Sequence, residues 1–167
     1  AIKILIPKIG KADCIIIYKD NECLMIDTGE SEDYSEIVSV MQNNNISRID
    51  TLIITHFDKD HVGSAAYLID HFEIGRIFRP LYTSGSDEYN AFMEAAFNNN
   101  LQPEIVGKET SLSFEGVDFI IYPAEKDEYE KDADNNSSLV ISAVYGENAM
   151  KNLKENGITV YLKVNAD

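Results

Sequence analysis

The stretch from Thr51 to Ser64, Thr-Leu-Ile-Ile-Thr-His-Phe-Asp-Lys-Asp-His-Val-Gly-Ser, constrains this chain more than any other. Thr51-Leu52-Ile53-Ile54-Thr55 reads as a short buried strand. Ser64 onward reads as a helix to Phe72, with Ala65, Ala66, Leu68, Ile69 and Phe72 on its apolar side. His56, Asp58, Asp60 and His61 are therefore concentrated in a strand-to-helix loop, the place where an α/β sheet presents its chemistry. Imidazole and carboxylate together suit a divalent metal, and two ions a few ångströms apart can share such a loop. The competing reading is a polar surface turn. Only three histidines occur in 167 residues, so two in one loop argue against it.

Around this loop the chain alternates strands and helices. Strands are predicted at Ile2 to Ile6, Asp13 to Tyr18 and Glu22 to Ile26, followed by Asp27-Thr28-Gly29. Ser31 is placed to cap a helix from Glu32 to Asn43, with Ile37, Val38 and Met41 at helical spacing. After the metal loop come a strand at Arg76 to Phe78 and a helix from Asp87 to Asn98. Two Asn triplets, 43–45 and 98–100, read as helix C-caps, because asparagine tolerates the left-handed conformation. The later part is strand-rich: Glu104 to Gly107, Ser111 to Phe114, Val117 to Tyr122 and Ser138 to Tyr145, with Gly116 turning the middle pair. A helix at Ala149 to Glu155 and a strand at Ile158 to Val164 close the reading.

The length fits one domain with a sizeable core. Apolar runs such as Cys14-Ile15-Ile16-Ile17 are too short to span a membrane. No signal peptide is visible at Ala1-Ile2-Lys3, although a cleaved one would leave no trace. The net charge of −15 repels polyphosphates at long range. A nucleic-acid partner would need local basic contacts that the sequence does not display. The run from Glu125 to Asp134 reads as a solvated acidic loop. A hairpin turned at Asp20-Asn21 pairs Tyr18 with Cys23 and leaves Cys14 about 13 Å further along the strand, beyond disulfide reach. Unbridged cysteines favour a reducing compartment, hence a cytoplasmic location.

With three opening strands, Asp27-Thr28-Gly29, a helix, a strand and a Thr55-His56 metal loop in that order, the chain resembles the metallo-β-lactamase superfamily. The family's usual loop is H-x-H-x-D-H, whereas this one is H-x-D-x-D-H, with Asp58 where the second histidine would stand. That change is similar to the hydrolase domain of ComEC-type DNA-uptake proteins and their free-standing relatives. Asn135-Asn136-Ser137-Ser138-Leu139-Val140 is a second, looser match. The resemblance implies an αββα sandwich: two mixed sheets packed face to face with helices outside. By position, His56 and Asp58 would hold one divalent ion, and Asp60 and His61 a second. Carboxylate in place of imidazole hardens the site and tilts it from zinc towards manganese, with zinc still acceptable. Asp60 would also orient a metal-activated water or accept its proton. Asp27 would orient His56 or His61. Its plain alternative is an ordinary Asp-Thr-Gly turn.

The implied activity is hydrolysis of a phosphodiester or related ester, in nucleic acid or a small molecule. Its rivals are a lactone, thioester or amide hydrolase and a non-catalytic metal-binding or interaction module. The chain departs from the family after Tyr145-Gly146, where a strand ending in Gly-Asp is expected and Glu147-Asn148-Ala149 follows instead. No histidine occurs after His71. The fold is therefore expected to lack a segment near 146–149 and a C-terminal portion, leaving an unpaired sheet edge beside Ser138 to Tyr145. Among the remaining candidates, His71 suits a helix C-terminus and Lys59 an exposed position. Arg79 and Tyr82 are either cleft-lining or surface residues, and Asn135 to Ser138 form a turn before a strand or contact a phosphate.

Overall fold

The computed structural model of this chain describes residues 2–125, 136–145 and 161–162. Three strands open it: β1 (Lys3–Leu5), β2 (Ile15–Lys19) and β3 (Glu22–Ile26). The hairpin register is as the sequence predicts, Tyr18 opposite Cys23, and Asp20 takes a positive φ of 54° in the turn. Ser31 does not cap a helix. Ser31–Asp33 is a 3-10 turn, in which the Glu30 N–H donates to Asp33, and α1 begins one residue later (Tyr34–Asn43). β4 (Arg48–Ile53) follows, then a one-turn helix α2 (Lys59–Val62) inside the loop that carries His56, Asp58, Asp60 and His61, α3 (Ala65–His71), β5 (Glu73–Arg79) and α4 (Asp87–Asn98). Asn45 and Asn100 carry φ near +57° as α1 and α4 close, which is the C-cap role expected of the triplets.

β1 to β6 (Glu104–Ile105) form one six-stranded sheet in sequence order, antiparallel through β3 and parallel from β3 to β6. β7 (Thr110–Phe114), β8 (Val117–Tyr122), β9 (Val140–Tyr145) and β10 (Tyr161–Leu162) form a second, antiparallel sheet. The expected open edge beside β9 is occupied at Ile141 and Ser142 by β10. Residues 146–149 and the predicted helix after them lie outside the described residues.

Alternation along the central strands builds two cores. Ile16, Tyr18, Cys23 and Met25 face the helices with Ile37, Met41, Leu68 and Phe92. Ile17, Leu24, Ile26 and Ile53 face the second sheet and meet Phe114, Phe119, Ile121 and Ile141. Both faces of β2 and β3 are covered, which is why Cys14-Ile15-Ile16-Ile17 is an unbroken apolar run. Parallel pairing puts the carboxyl ends of β3, β4 and β5 on one side. Asp27, the loop from Thr55 to His61 and Pro80 to Tyr82 follow those ends. Among the described residues no helix is long and apolar enough to cross a membrane.

Candidate metal centre

Asp27 leaves β3 in the left-handed region at φ 58°, which aspartate tolerates better than most residues. Its own N–H donates to Ile53 O at the end of β4, so the turn is locked to the neighbouring strand. The carboxylate, fully buried, accepts the Thr55 N–H at Oδ1 (2.8 Å) and the Thr55 hydroxyl at Oδ2 (2.6 Å). Oδ2 also receives His61 Nδ1 at 2.9 Å. The sequence offered two roles for Asp27. The contacts are those of the orienting carboxylate, and the histidine it holds is His61.

Thr55 reaches His56 as well, its Oγ1 lying 3.2 Å from His56 Nδ1. Since that hydroxyl gives its proton to Asp27, it accepts from His56. Both histidines are thus engaged at Nδ1 and turn a buried Nε2 face towards neighbouring carboxylates. His56 Nε2 stands 3.6 Å from Asp58 Oδ2, and His61 Nε2 stands 3.9 Å from Asp60 Oδ2. The two rings lie side by side, centroids 3.7 Å apart and tilted 49°. The pairs that the resemblance implies, His56 with Asp58 and Asp60 with His61, thus lie within 4 Å of each other.

One neighbour escaped the sequence reading. Asp13 Oδ2 lies 3.3 Å from His61 Nε2, and the Asp13 N–H donates to Asp60 O. The signal existed: the Tyr18–Cys23 register, continued past the end of β2, sets Asp13 opposite Thr28. Burial, the largest influence on His61, pulls its pKa down, but the hydrogen bond and charge of Asp27, with Asp60 and Asp13, outweigh it and the net shift is upward. Asp13 is raised chiefly by burial, with His61 pulling it down and the Asp27 and Asp60 charges adding to the rise. Three carboxylates around one imidazole are a setting that favours a cation.

The backbone around these side chains is tightly held. Thr28 donates to His61 O from both N (2.7 Å) and Oγ1 (2.9 Å). Ser64 Oγ donates to Glu30 O at 2.6 Å, which accounts for a serine the chemistry does not require. Gly63 passes so close that a Cβ there would stand 2.7 Å from Glu30 Cα. The Leu139 N–H, at the entry to β9, donates to Thr55 O. Where the sequence suggested an open loop, α2 forms because Val62 N–H donates back to Asp58 O, and this turn brings Asp60 and His61 to the same side as His56.

Among the described residues no group of three or more His, Cys, Asp or Glu side chains closes into a ligand set. His56 Nε2 faces Asp58 at 3.6 Å, while His61 Nε2 faces Asp13 at 3.3 Å and Asp60 at 3.9 Å. In chemistry and direction these groups fit divalent metal, with imidazole Nε2 facing carboxylate oxygen and each Nδ1 engaged behind it. Further ligands are needed to complete each shell; the sequence has no histidine after His71 and Glu147-Asn148-Ala149 where the resemblance implies Gly-Asp. Of the other candidates, Lys59 is exposed, 3.5 Å from Glu30. His71 is exposed at the end of α3 and bonds Tyr67 O. Tyr82 lines a cleft with Pro80, Leu81, Val106, Gly107 and Ser137, whereas Arg79 is buried beneath it.

A sequence model of the metallo-beta-lactamase superfamily matches residues 8–96, and the chain belongs to that superfamily. Two curated relatives are ComE operon protein 3 of Bacillus subtilis (strain 168), 26% identical over 152 residues, and a hydroxyacylglutathione hydrolase of Aeromonas hydrophila subsp. hydrophila, 29% identical over 77 residues. These alignments cover 80% and 46% of this chain but only 19% and 29% of the relatives, so the chain spans less than a third of either. Among solved structures, a metallo-beta-lactamase from Pontibacter korlensis shares the fold with a TM-score of 0.52 at 16% identity, over 84% of this chain and 61% of that one.

Proposed function

We propose that this chain is a metal-dependent hydrolase acting on a phosphodiester or a related ester. The observation that carries the reading is the pairing of His56 with Asp58 and of His61 with Asp60 on adjacent rings, backed by buried Asp27. Bound divalent ions, zinc or manganese, would supply Lewis-acid polarisation and lower the pKa of a coordinated water. Asp27 and Thr55 fix which nitrogen each imidazole presents. Asp60 orients the attacking water and takes its proton. The resemblance of the His56-to-His61 loop to that of ComEC-type proteins supports the phosphodiester. The charge of −15 supports a small substrate over a long nucleic acid. Buried, unbridged Cys14 and Cys23 support a reducing compartment such as the cytoplasm.

A thioester or lactone substrate is the second reading, and the match to a hydroxyacylglutathione hydrolase favours the thioester. Turnover of a bis-aryl phosphodiester, a lactone and a thioester by metal-loaded protein tests both. Preference for the phosphodiester is the expected result. Preference for the thioester selects the second reading, and no turnover of any of the three selects a binding module.

A further inference from the structure

We propose that Tyr82 is a positioning residue for the His56–Asp58 pair, acting through the backbone of Phe57. The inference rests on the metal-dependent reading above and adds a residue from a different strand end. Phe57 lies between the two members of the pair. Its N–H donates to the Tyr82 hydroxyl at 2.7 Å, and the two rings pack with centroids 4.9 Å apart at 47°. The Phe57 side chain is fully buried against Tyr89 and Phe92, at 4.6 and 6.2 Å between centroids. With that ring committed to the helix-side core, its neighbours His56 and Asp58 meet each other, 3.6 Å apart. One residue of the loop is therefore held at two points, ring and amide, and both holds involve Tyr82.

Tyr82 is itself held from beneath. Arg79, buried at the end of β5, donates from Nη1 to Pro80 O and to Tyr82 O, both at 3.2 Å. The guanidinium charge is thereby turned into the turn that carries Tyr82. A phenylalanine would fill the same space as the tyrosine ring. What it could not supply is an acceptor for the Phe57 amide, which would be left without its partner at the centre of the loop. On the opposite flank the Leu139 N–H holds Thr55 O, so the loop is gripped on both sides, and Tyr82 supplies the grip on the residue between His56 and Asp58.

Tyr82→Phe deletes the hydroxyl and keeps the ring. In metal-free protein the Phe57 amide should exchange about tenfold faster by NMR, the size expected of one lost hydrogen bond, while the Leu24 amide in β3 is unchanged. In equilibrium dialysis, affinity for Mn2+ or Zn2+ should fall about 10–100-fold, the range for losing a partner behind metal ligands. Tyr67→Phe, on an exposed ring of α3, should leave both readouts as in the wild type. A wild type that takes up neither ion overturns the metal-dependent reading and this inference together. A wild type that binds, matched in affinity by Tyr82→Phe, overturns the positioning role alone. In that case faster exchange at Phe57 would report only a bond that serves the fold.

Discussion

Asp27 Oδ2 lies 2.9 Å from His61 Nδ1, with the two side chains 0% and 1% exposed. A carboxylate so placed, also bonded twice by Thr55, fixes a histidine and a loop at once. Asp27→Asn keeps the shape and turns an amide N–H2 or a neutral oxygen towards groups that need a charged acceptor. The expected cost is about 3 kcal/mol, the range for removing one partner of a buried pair, read from the urea midpoint. Metal affinity should fall with it. A loss under about 1 kcal/mol would show that the interaction is a solvent-like contact and not a buried anchor.

His56→Ala combined with Asp58→Ala should remove one of two bound divalent ions while the Asp60–His61 side keeps its own. Elemental analysis of purified wild-type and double-variant protein decides this. Equal metal content would end the assignment of the His56–Asp58 pair.

Asp60→Asn should lower hydrolysis of the preferred ester by at least ~100-fold, the effect of losing a positioned acid–base group, with an unchanged far-UV circular dichroism spectrum. Retained turnover would remove Asp60 from the chemistry and leave it as an electrostatic neighbour of His61.

Gly63→Ala should destabilise the protein by about 1–3 kcal/mol despite alanine's helix propensity, because the new methyl enters a packed backbone contact. The Cβ would come within 2.7 Å of Glu30 Cα, and neither segment can yield without moving Ser64 or the Asp-Thr-Gly turn. Thermal melting measures the cost. A neutral or stabilising substitution would mean that the α2–α3 junction is looser than its geometry.

Burial pushes the Cys23 thiol up to about 12, with the Asp50 charge adding, and burial likewise raises Cys14 well above the ordinary value. In the unfolded chain thiols ionise near about 8.5. The stabilisation is therefore fully present below that pH and is lost as pH rises from there towards 12, because only the unfolded state releases its proton. The stability difference between wild type and Cys23→Ala should narrow across this window by up to ~1.4 kcal/mol per pH unit. A difference that stays constant with pH would contradict a sealed thiol.

The sequence by itself determined what depends on neighbours and on periodicity. The Tyr18–Cys23 register follows from a two-residue turn, and the left-handed Asn45 and Asn100 follow from how helices end. That His56, Asp58, Asp60 and His61 share one place was legible because all four fall within one short loop. Which histidine Asp27 holds was open, because Asp27 and His61 meet only once β3 and β4 pair in parallel. The approach of Asp13 to His61, the grip of Tyr82 on Phe57 and the bond from Leu139 to Thr55 were likewise decided by the tertiary structure. Each joins segments far apart in the chain, and no local propensity encodes them. They exist because two apolar faces of one sheet must both be covered, and that packing carries the carboxyl ends of β3, β4 and β5 to the same place.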